Sequence, residues 1–98
     1  MFKEEELKFT KIRDYRINFR YKGTLYSLNE HNFYGEYSIT LCNRDTEEVI
    51  AGEWGWLDID DFIRKRPYLG TISRSTPYSH IDKEYFVKKL NNWILENK

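Results

Sequence analysis

The fold of this chain is decided by Tyr15-Arg16-Ile17-Asn18-Phe19-Arg20-Tyr21, a stretch that runs into Lys22-Gly23. Large apolar side chains occupy every second position, and basic or amide side chains lie between them. Because successive side chains of a β-strand point to opposite faces, this alternation predicts a strand over residues 15–22 with an aromatic face and a basic face. Glycine accepts a positive φ without steric cost, so Lys22-Gly23 predicts a tight reversal, with residues 24–28 returning as the hairpin partner.

Three more strands are predicted around this hairpin. Residues 7–12 are assigned to a strand, although their apolar side chains fit neither the helical nor the strand period well. Residues 36–42 alternate between large apolar and small polar side chains, which is typical of a half-buried strand. Residues 47–56 form the last predicted strand, and Gly52 and Gly55 within it indicate a bulge or a close approach of another backbone.

Two polar segments separate these predicted strands. The polar run at residues 29–32, which is followed by Gly35, predicts a loop. The cluster at residues 43–46 predicts a turn in which an asparagine side chain bonds to the backbone that follows it.

At Asp58 the pattern changes from strand to helix. Asp58 can cap a helix, and Asp60 and Asp61 place negative charge in its first turn. Residues 64–66 are all basic and place positive charge in its last turn. Both charges complement the helix dipole, and Pro67 prevents continuation, so a short helix is predicted near residues 58–66.

The longest predicted helix covers residues 82–96, with Ser79 or Asp82 as its cap. Its large apolar residues fall within an arc of about 120° on a period of 3.6 residues. They are Phe86, Val87, Leu90, Trp93 and Ile94. This stripe is expected to pack against the aromatic face of the strand over residues 15–22.

Hairpin strands followed by a terminal helix indicate the α+β class. We expect an antiparallel sheet of about four to five strands with the C-terminal helix packed on one face. A closed barrel with the helix as a plug is the alternative topology. Residues 1–98 are expected to form one domain, because a chain of 98 residues leaves no room for a second core.

Composition and charge narrow the class of protein. The 16 basic and 16 acidic residues give a net charge of zero, whereas a dedicated duplex-DNA binder usually carries a basic excess. No apolar run is long enough to cross a membrane and no signal peptide is recognisable, so we expect a cytoplasmic protein without a membrane partner. Ala51 is the only alanine, while Lys, Ile, Asn, Tyr and Phe are abundant, which points to an AT-rich bacterial or phage genome.

Side chains with catalytic or metal-binding chemistry are few. Cys42 is the only cysteine, which excludes an intramolecular disulfide, and with His31 and His80 it lacks the close ligand spacing of a zinc site. The chain also lacks a glycine-rich phosphate loop, so we expect no cofactor. The cluster Asp58-Asp60-Asp61 fits a divalent metal, but a helix start explains the same residues, and a non-enzymatic protein is favoured.

The predicted basic strand face is the strongest candidate for a binding site. Residues 11–22 carry five basic side chains and one acidic side chain, which gives a net charge of +4. Arg16, Arg20 and Lys22 are expected to share this face, with Tyr26 as an aromatic neighbour. A solvated strand also carries basic residues merely to prevent edge-to-edge aggregation, so the same pattern fits a surface without a ligand.

Two tryptophans extend this candidate site. Trp54 and Trp56 share one face of an extended segment, beside glycines that leave their rings accessible. Such rings stack on nucleic-acid bases or anchor a protein partner. At least one of them is also expected to fill the core beside Trp93, because a small domain needs its large aromatic side chains inside.

Three hypotheses for the function follow. The first is a small non-enzymatic interaction protein that binds or occludes a larger protein partner through the basic face. The second is the binding of single-stranded nucleic acid or a nucleotide on the same face. The third is a metal-dependent enzyme that uses Asp58, Asp60 and Asp61. A homodimer formed through an edge strand is compatible with each of them.

Overall fold

Five strands and one α-helix form the fold of the computed structural model, which describes residues 1–13, 15–33, 36–55, 59–63 and 81–97. The strands pair antiparallel with their neighbours in sequence, and within the described residues β1 and β5 are the open edges of the sheet. The predicted α+β fold is therefore confirmed, and the strands that the structure describes form an open sheet, not a closed barrel. The elements are β1 (Leu7–Arg13), β2 (Arg16–Tyr21), β3 (Thr24–Phe33), β4 (Glu36–Asn43), β5 (Glu48–Gly55) and α1 (Lys83–Asn97), with 3-10 turns at Glu4–Glu6 and Ile59–Phe62.

The hairpin between β2 and β3 turns where the sequence predicts it. Tyr21 pairs with Thr24, so only Lys22 and Gly23 form the connection. Both have positive φ angles, 51° and 83°, as a two-residue turn that matches the twist of the strands requires. Glycine adopts this conformation freely, whereas lysine does so against a steric penalty.

Strand β2 buries one face and exposes the other, as its alternation predicts. Ile17 and Phe19 are fully buried, and Tyr21 is nearly so. The prediction was wrong for Tyr15, whose side chain is 66% exposed. Arg13 pairs with Arg16, so Tyr15 lies in the connection between β1 and β2, where its carbonyl accepts a hydrogen bond of 2.8 Å from the Glu30 amide.

Strand β1 contains a bulge that explains its irregular pattern. Phe9 pairs with Phe19 and Lys11 pairs with Asn18, so Thr10 is an extra residue on the β1 side. An extra residue shifts the alternation of the strand by one position. Phe9 and Ile12 therefore both point into the core, although they are an odd number of residues apart.

The loop predicted around residues 29–35 is wrong over most of its length. Strand β3 continues to Phe33, and its pairing with β4 runs from Tyr26 to Phe33. The ladder hydrogen bonds to β4 outweigh the local preference of these polar residues for a loop. The turn predicted over residues 43–46 is confirmed, because the Asn43 side chain accepts hydrogen bonds from the backbone amides of Asp45 and Thr46.

Strand β5 also contains a bulge. Leu41 pairs with Ala51 and Cys42 pairs with Val49, so the extra residue is Ile50 and not Gly52 or Gly55. The strand ends at Gly55, and Trp56 lies outside the described residues.

The helix α1 packs on one face of the sheet through the predicted stripe, all of which is buried. Phe86 contacts Phe9 and Phe19 edge-on, with ring centroids 5.1 and 5.6 Å apart. Asp82 caps the helix, because its Oδ1 accepts a hydrogen bond of 3.1 Å from the Tyr85 amide.

The short helix predicted near residues 58–66 is present as the 3-10 turn Ile59–Phe62. Phe62 is fully buried and packs edge-on against Trp93, with the centroids 5.6 Å apart. The Ile59 amide donates a hydrogen bond of 3.0 Å to Glu30 Oε2, which ties this turn to β3. The predicted cap Asp58 and the basic residues 64–66 lie outside the described residues.

Candidate functional site

The sheet face opposite the helix carries three of the six predicted binding residues, Arg16, Arg20 and Trp54, and we call it the polar face. Directly opposed residues of antiparallel strands point to the same side, so the strand pairing assigns each residue to a face. The described members of the polar face are Lys8, Lys11, Arg13, Arg16, Asn18, Arg20, Leu25, Ser27, Asn29, His31, Ser38, Thr40, Cys42, Val49, Gly52 and Trp54.

Strands β1 and β2 form the basic half of the polar face. Its five exposed cations are Lys8, Lys11, Arg13, Arg16 and Arg20. Lys8 lies across from Arg20, and Arg13 lies across from Arg16. The side chains that the structure describes on the polar face include no acidic one, and the ion pairs that it describes elsewhere, Lys22–Glu6 and Lys88–Glu84, use none of these cations.

Two acidic side chains that the structure describes in the strands, Glu30 and Glu53, follow the opposite alternation. Glu30 pairs with Ile39, and Ile39 pairs with Glu53, so both carboxylates belong to the side of the sheet that carries the helix. Among the strand side chains that the structure describes, the five cations therefore lie on the polar face, whereas Glu30 and Glu53 lie on the helix side. Net charge alone understates the positive potential of the basic half.

Arg16 is held in place by a buried polar neighbour. Its Nε donates a hydrogen bond of 2.7 Å to Asn29 Oδ1, which also accepts one of 3.1 Å from Ser27 Oγ. Asn29 is 6% exposed and Ser27 is fully buried, so this network has little competition from water. The guanidinium of Arg16 is consequently oriented, although Arg16 as a residue is exposed.

Arg20 and Lys22 are placed differently from one another. Arg20 belongs to the polar face, and its Nη1 donates a hydrogen bond of 3.3 Å to the Gly23 carbonyl. Lys22 was predicted on the same face, but it lies in the turn, 3.4 Å from Glu6 Oε2 and 5.5 Å from the centre of the Tyr21 ring. The positive φ of Lys22 takes it out of the strand alternation, so it does not belong to the basic half.

Tyr26 does not accompany the arginines, contrary to the predicted arrangement. It pairs with Phe19, and the two rings stack on the helix side of the sheet. Phe2 lies edge-on against it at 5.2 Å. Tyr26 therefore packs against the core.

Trp54 is the only one of the two predicted binding tryptophans that lies within the described residues. It pairs with Ser38 on the polar face, and its side chain is 69% exposed. Val49 lies on the same face and is 59% exposed. The extra residue Ile50 shifts the alternation of β5 by one position, which places Val49 on the same side of the sheet as Trp54. His31 was expected in a loop, but it lies in β3, where its Nε2 is 3.3 Å from Thr40 Oγ1.

The acidic cluster lies only partly within the described residues. Asp58 and the side chain of Asp60 lie outside what the structure describes, while Asp61 is exposed and its carbonyl accepts a hydrogen bond from Tyr85 Oη. Within the described ranges, no group of three or more His, Cys, Asp or Glu side chains could hold a metal ion.

Lys8 and Gly52 are members of the polar face that sequence reasoning did not assign to the site. Lys8 alternates with Leu7 and Phe9, so the register of the first hairpin places it across from Arg20. Val49 was also missed, because the bulge at Ile50 breaks the alternation on which its assignment depends.

Comparison of the chain with protein-family models, curated proteins and solved structures finds no match in any of the three. Among the described residues, no helix has the length and apolar character needed to span a membrane. The polar face itself is therefore the basis for assigning a function.

Proposed function

We propose that this protein is a small binding protein that recognises an acidic surface on a larger protein partner through the basic half of the polar face. The observation that carries the proposal is the grouping of Lys8, Lys11, Arg13, Arg16 and Arg20 on one exposed sheet face without a described acidic neighbour. A role in binding without catalysis is consistent with this surface, because what it presents to a partner is a group of positive charges on a sheet.

The basic half suits recognition by charge complementarity. An exposed ion pair contributes only about 0.2–1 kcal/mol, so affinity requires several cations that act together. A shared sheet face provides this, because side chains two residues apart along a strand are separated by about 7 Å. Complementary charge also accelerates association and disfavours basic partners.

A protein partner is favoured over nucleic acid by the position of the aromatic side chains. Proteins that bind single strands place aromatic rings beside their cations, so that bases stack while phosphates pair. Tyr26 belongs to the helix side of the sheet, and Trp54 lies on β5, three strands away from Arg16. The basic half therefore resembles a charged docking surface more than a stacking platform.

The proposal is tested with a charge-reversed variant, Arg16→Glu/Arg20→Glu, and a control of equal charge change, Arg44→Glu/Lys3→Glu. Arg44 and Lys3 are exposed and lie outside the polar face. Each protein is immobilised and incubated with lysate of the source organism, and proteins captured by the wild type are purified for calorimetric titration. We expect an acidic protein whose affinity falls at least about tenfold for the Arg16→Glu/Arg20→Glu variant, and falls with salt, while the control binds normally.

Three results would contradict the proposal. One is unchanged affinity of the Arg16→Glu/Arg20→Glu variant at a melting temperature equal to that of the wild type. Another is an equal loss in the control, which would indicate a general charge effect. The third is a captured partner without an acidic surface.

The exposed ring of Trp54 on the same face supports a second candidate, the binding of single-stranded nucleic acid. In that case an oligothymidine quenches tryptophan fluorescence at low salt, and Trp54→Phe removes most of the quenching. The absence of any fluorescence change at low salt would exclude this candidate.

A further inference from the structure

The far end of the polar face carries a small apolar patch, made of Val49, Gly52 and Trp54. Val49 and Trp54 are among the few large apolar side chains that the described structure leaves exposed, at 59% and 69%. The bulge at Ile50 places both on the polar face of the same strand. Gly52 lies between them and pairs with Thr40. We call these three residues the anchor patch.

Gly52 is not required by the fold. Its φ lies outside the left-handed region, so its backbone conformation is open to any residue. A methyl group at this position would meet the Ile39 carbonyl oxygen and Thr40 Cγ2 at 3.5 Å, which is ordinary van der Waals contact. A glycine inside a strand weakens the strand, and it commonly marks a position where a ligand approaches the backbone closely.

We propose that the anchor patch receives an apolar side chain of the acidic protein partner, seated over Gly52 between Val49 and Trp54. The inference rests on the proposed function, because charge complementarity with the basic half identifies the partner as acidic. It adds the requirement that the bound segment combines acidic residues with an apolar one. Apolar anchors in small pockets typically supply most of the binding energy of an interface, while the surrounding charges orient the partner.

The surface between the two parts of the site permits one segment to contact both. Strands β2 and β5 are three strand spacings apart, which corresponds to about 14 Å. An extended peptide covers that distance with about four residues. The polar-face residues of β3 and β4 in this path all have short side chains: Ser27 and Asn29 are buried, and Thr40 and Cys42 are half-buried. A bound segment that crosses here would contact the half-buried Thr40 and Cys42 before it reaches Gly52.

The test uses labelled synthetic peptides in place of the unidentified partner. One peptide carries a run of glutamates, a Gly-Ser spacer of about four residues and a leucine, in both orders. The matched peptide carries serine in place of leucine. Fluorescence anisotropy measures their affinities for the wild type, Gly52→Ala, Trp54→Ala and Arg16→Glu/Arg20→Glu.

We expect the leucine peptide to bind the wild type about tenfold more tightly than the serine peptide. Gly52→Ala is expected to remove this preference. The melting temperature of this variant should stay at or above that of the wild type, because alanine destabilises a strand less than glycine does. Trp54→Ala is also expected to remove it, whereas Arg16→Glu/Arg20→Glu should lose affinity for both peptides.

The outcomes separate the further inference from the proposed function. Equal, salt-sensitive binding of both peptides to the wild type would overturn the anchor patch and leave the basic half as the site. A leucine preference that persists in both Gly52→Ala and Trp54→Ala would also overturn it. If neither peptide binds the wild type at low salt, the inference and the proposed function both fail.

Discussion

The rings of Phe19 and Tyr26 stack across the hairpin of β2 and β3, with their centroids 5.5 Å apart and their planes 15° from parallel. Phe2 lies edge-on against both rings and against Tyr21. The first residues of the chain are thereby fixed to the same side of the sheet as α1. Phe19, Tyr21 and Tyr26 therefore pack in or against the core, which leaves their polar neighbours for the opposite face.

Phe2 is expected to be a major source of stability, although it is one residue from the start of the chain. Its side chain is almost fully buried against three rings. Phe2→Ala should lower the free energy of unfolding by about 3 kcal/mol, because it removes apolar contacts and leaves a cavity. Urea denaturation measures the change, and Tyr15→Ala, which truncates an exposed aromatic side chain, should cost less than about 0.5 kcal/mol. A similar loss in both variants would contradict this role for Phe2.

Asn91 is predicted to hold the first residues of the chain against α1. Its Oδ1 accepts a hydrogen bond from the Phe2 amide and its Nδ2 donates one to the Phe2 carbonyl, both at 2.9 Å. Asn91→Ala should cost about 1–3 kcal/mol, since it leaves two partly buried backbone groups unpaired. Faster hydrogen exchange at the Phe2 amide would report the same loss locally. The neighbouring Asn92→Ala, at an exposed position, serves as the control and should change neither quantity.

Regular alternation predicted the core of this protein well wherever the strands are regular. Ile17 and Phe19 in β2, and Ile39 and Leu41 in β4, are buried as their spacing predicts. Alternation was less informative where a bulge adds a residue, because Thr10 and Ile50 shift the pattern by one position. The loop around residues 29–32 was mispredicted because pairing with β4, a tertiary interaction, overrides local polarity.

The composition of the site was harder to predict than the fold. The basic character of the β2 face follows from the alternation of Arg16 and Arg20. The position of Tyr26 could also have been predicted from the sequence, because a two-residue turn at Lys22-Gly23 places it directly across from Phe19. By contrast, the network that joins Arg16 to Asn29 depends on side-chain geometry, for which the sequence carries no signal.

The turn residue Lys22 is expected to be suboptimal for stability. It adopts a φ of 51°, which asparagine tolerates better than lysine, and Asn-Gly is the preferred pair in this kind of turn. Lys22→Asn should raise the free energy of unfolding by about 0.5–1 kcal/mol, less the small contribution of an exposed ion pair with Glu6. Gly23→Ala should instead lower the free energy of unfolding, because alanine is strained at a φ of 83°. Thermal and urea denaturation test both, and a destabilised Lys22→Asn would show that the contacts of Lys22 outweigh its backbone strain.

Asn29 links the stability of the sheet to the orientation of Arg16. Asn29→Ala removes the acceptor of both Arg16 Nε and Ser27 Oγ and leaves the fully buried Ser27 hydroxyl without this partner. We expect a loss of about 1–3 kcal/mol, the usual cost of an unsatisfied buried polar group. Ser27→Ala in the Asn29→Ala background should restore part of the lost stability, because the unpaired Ser27 hydroxyl is then absent.

A double-mutant cycle on Ser27 and Asn29, followed by urea denaturation, measures this coupling directly. Additive losses would mean that the two side chains act independently. Because Arg16 loses its orientation in every variant that lacks Asn29, the stabilised double variant should still bind an acidic partner more weakly than the wild type. Restored stability together with fully restored affinity would show that Arg16 needs no support from Asn29.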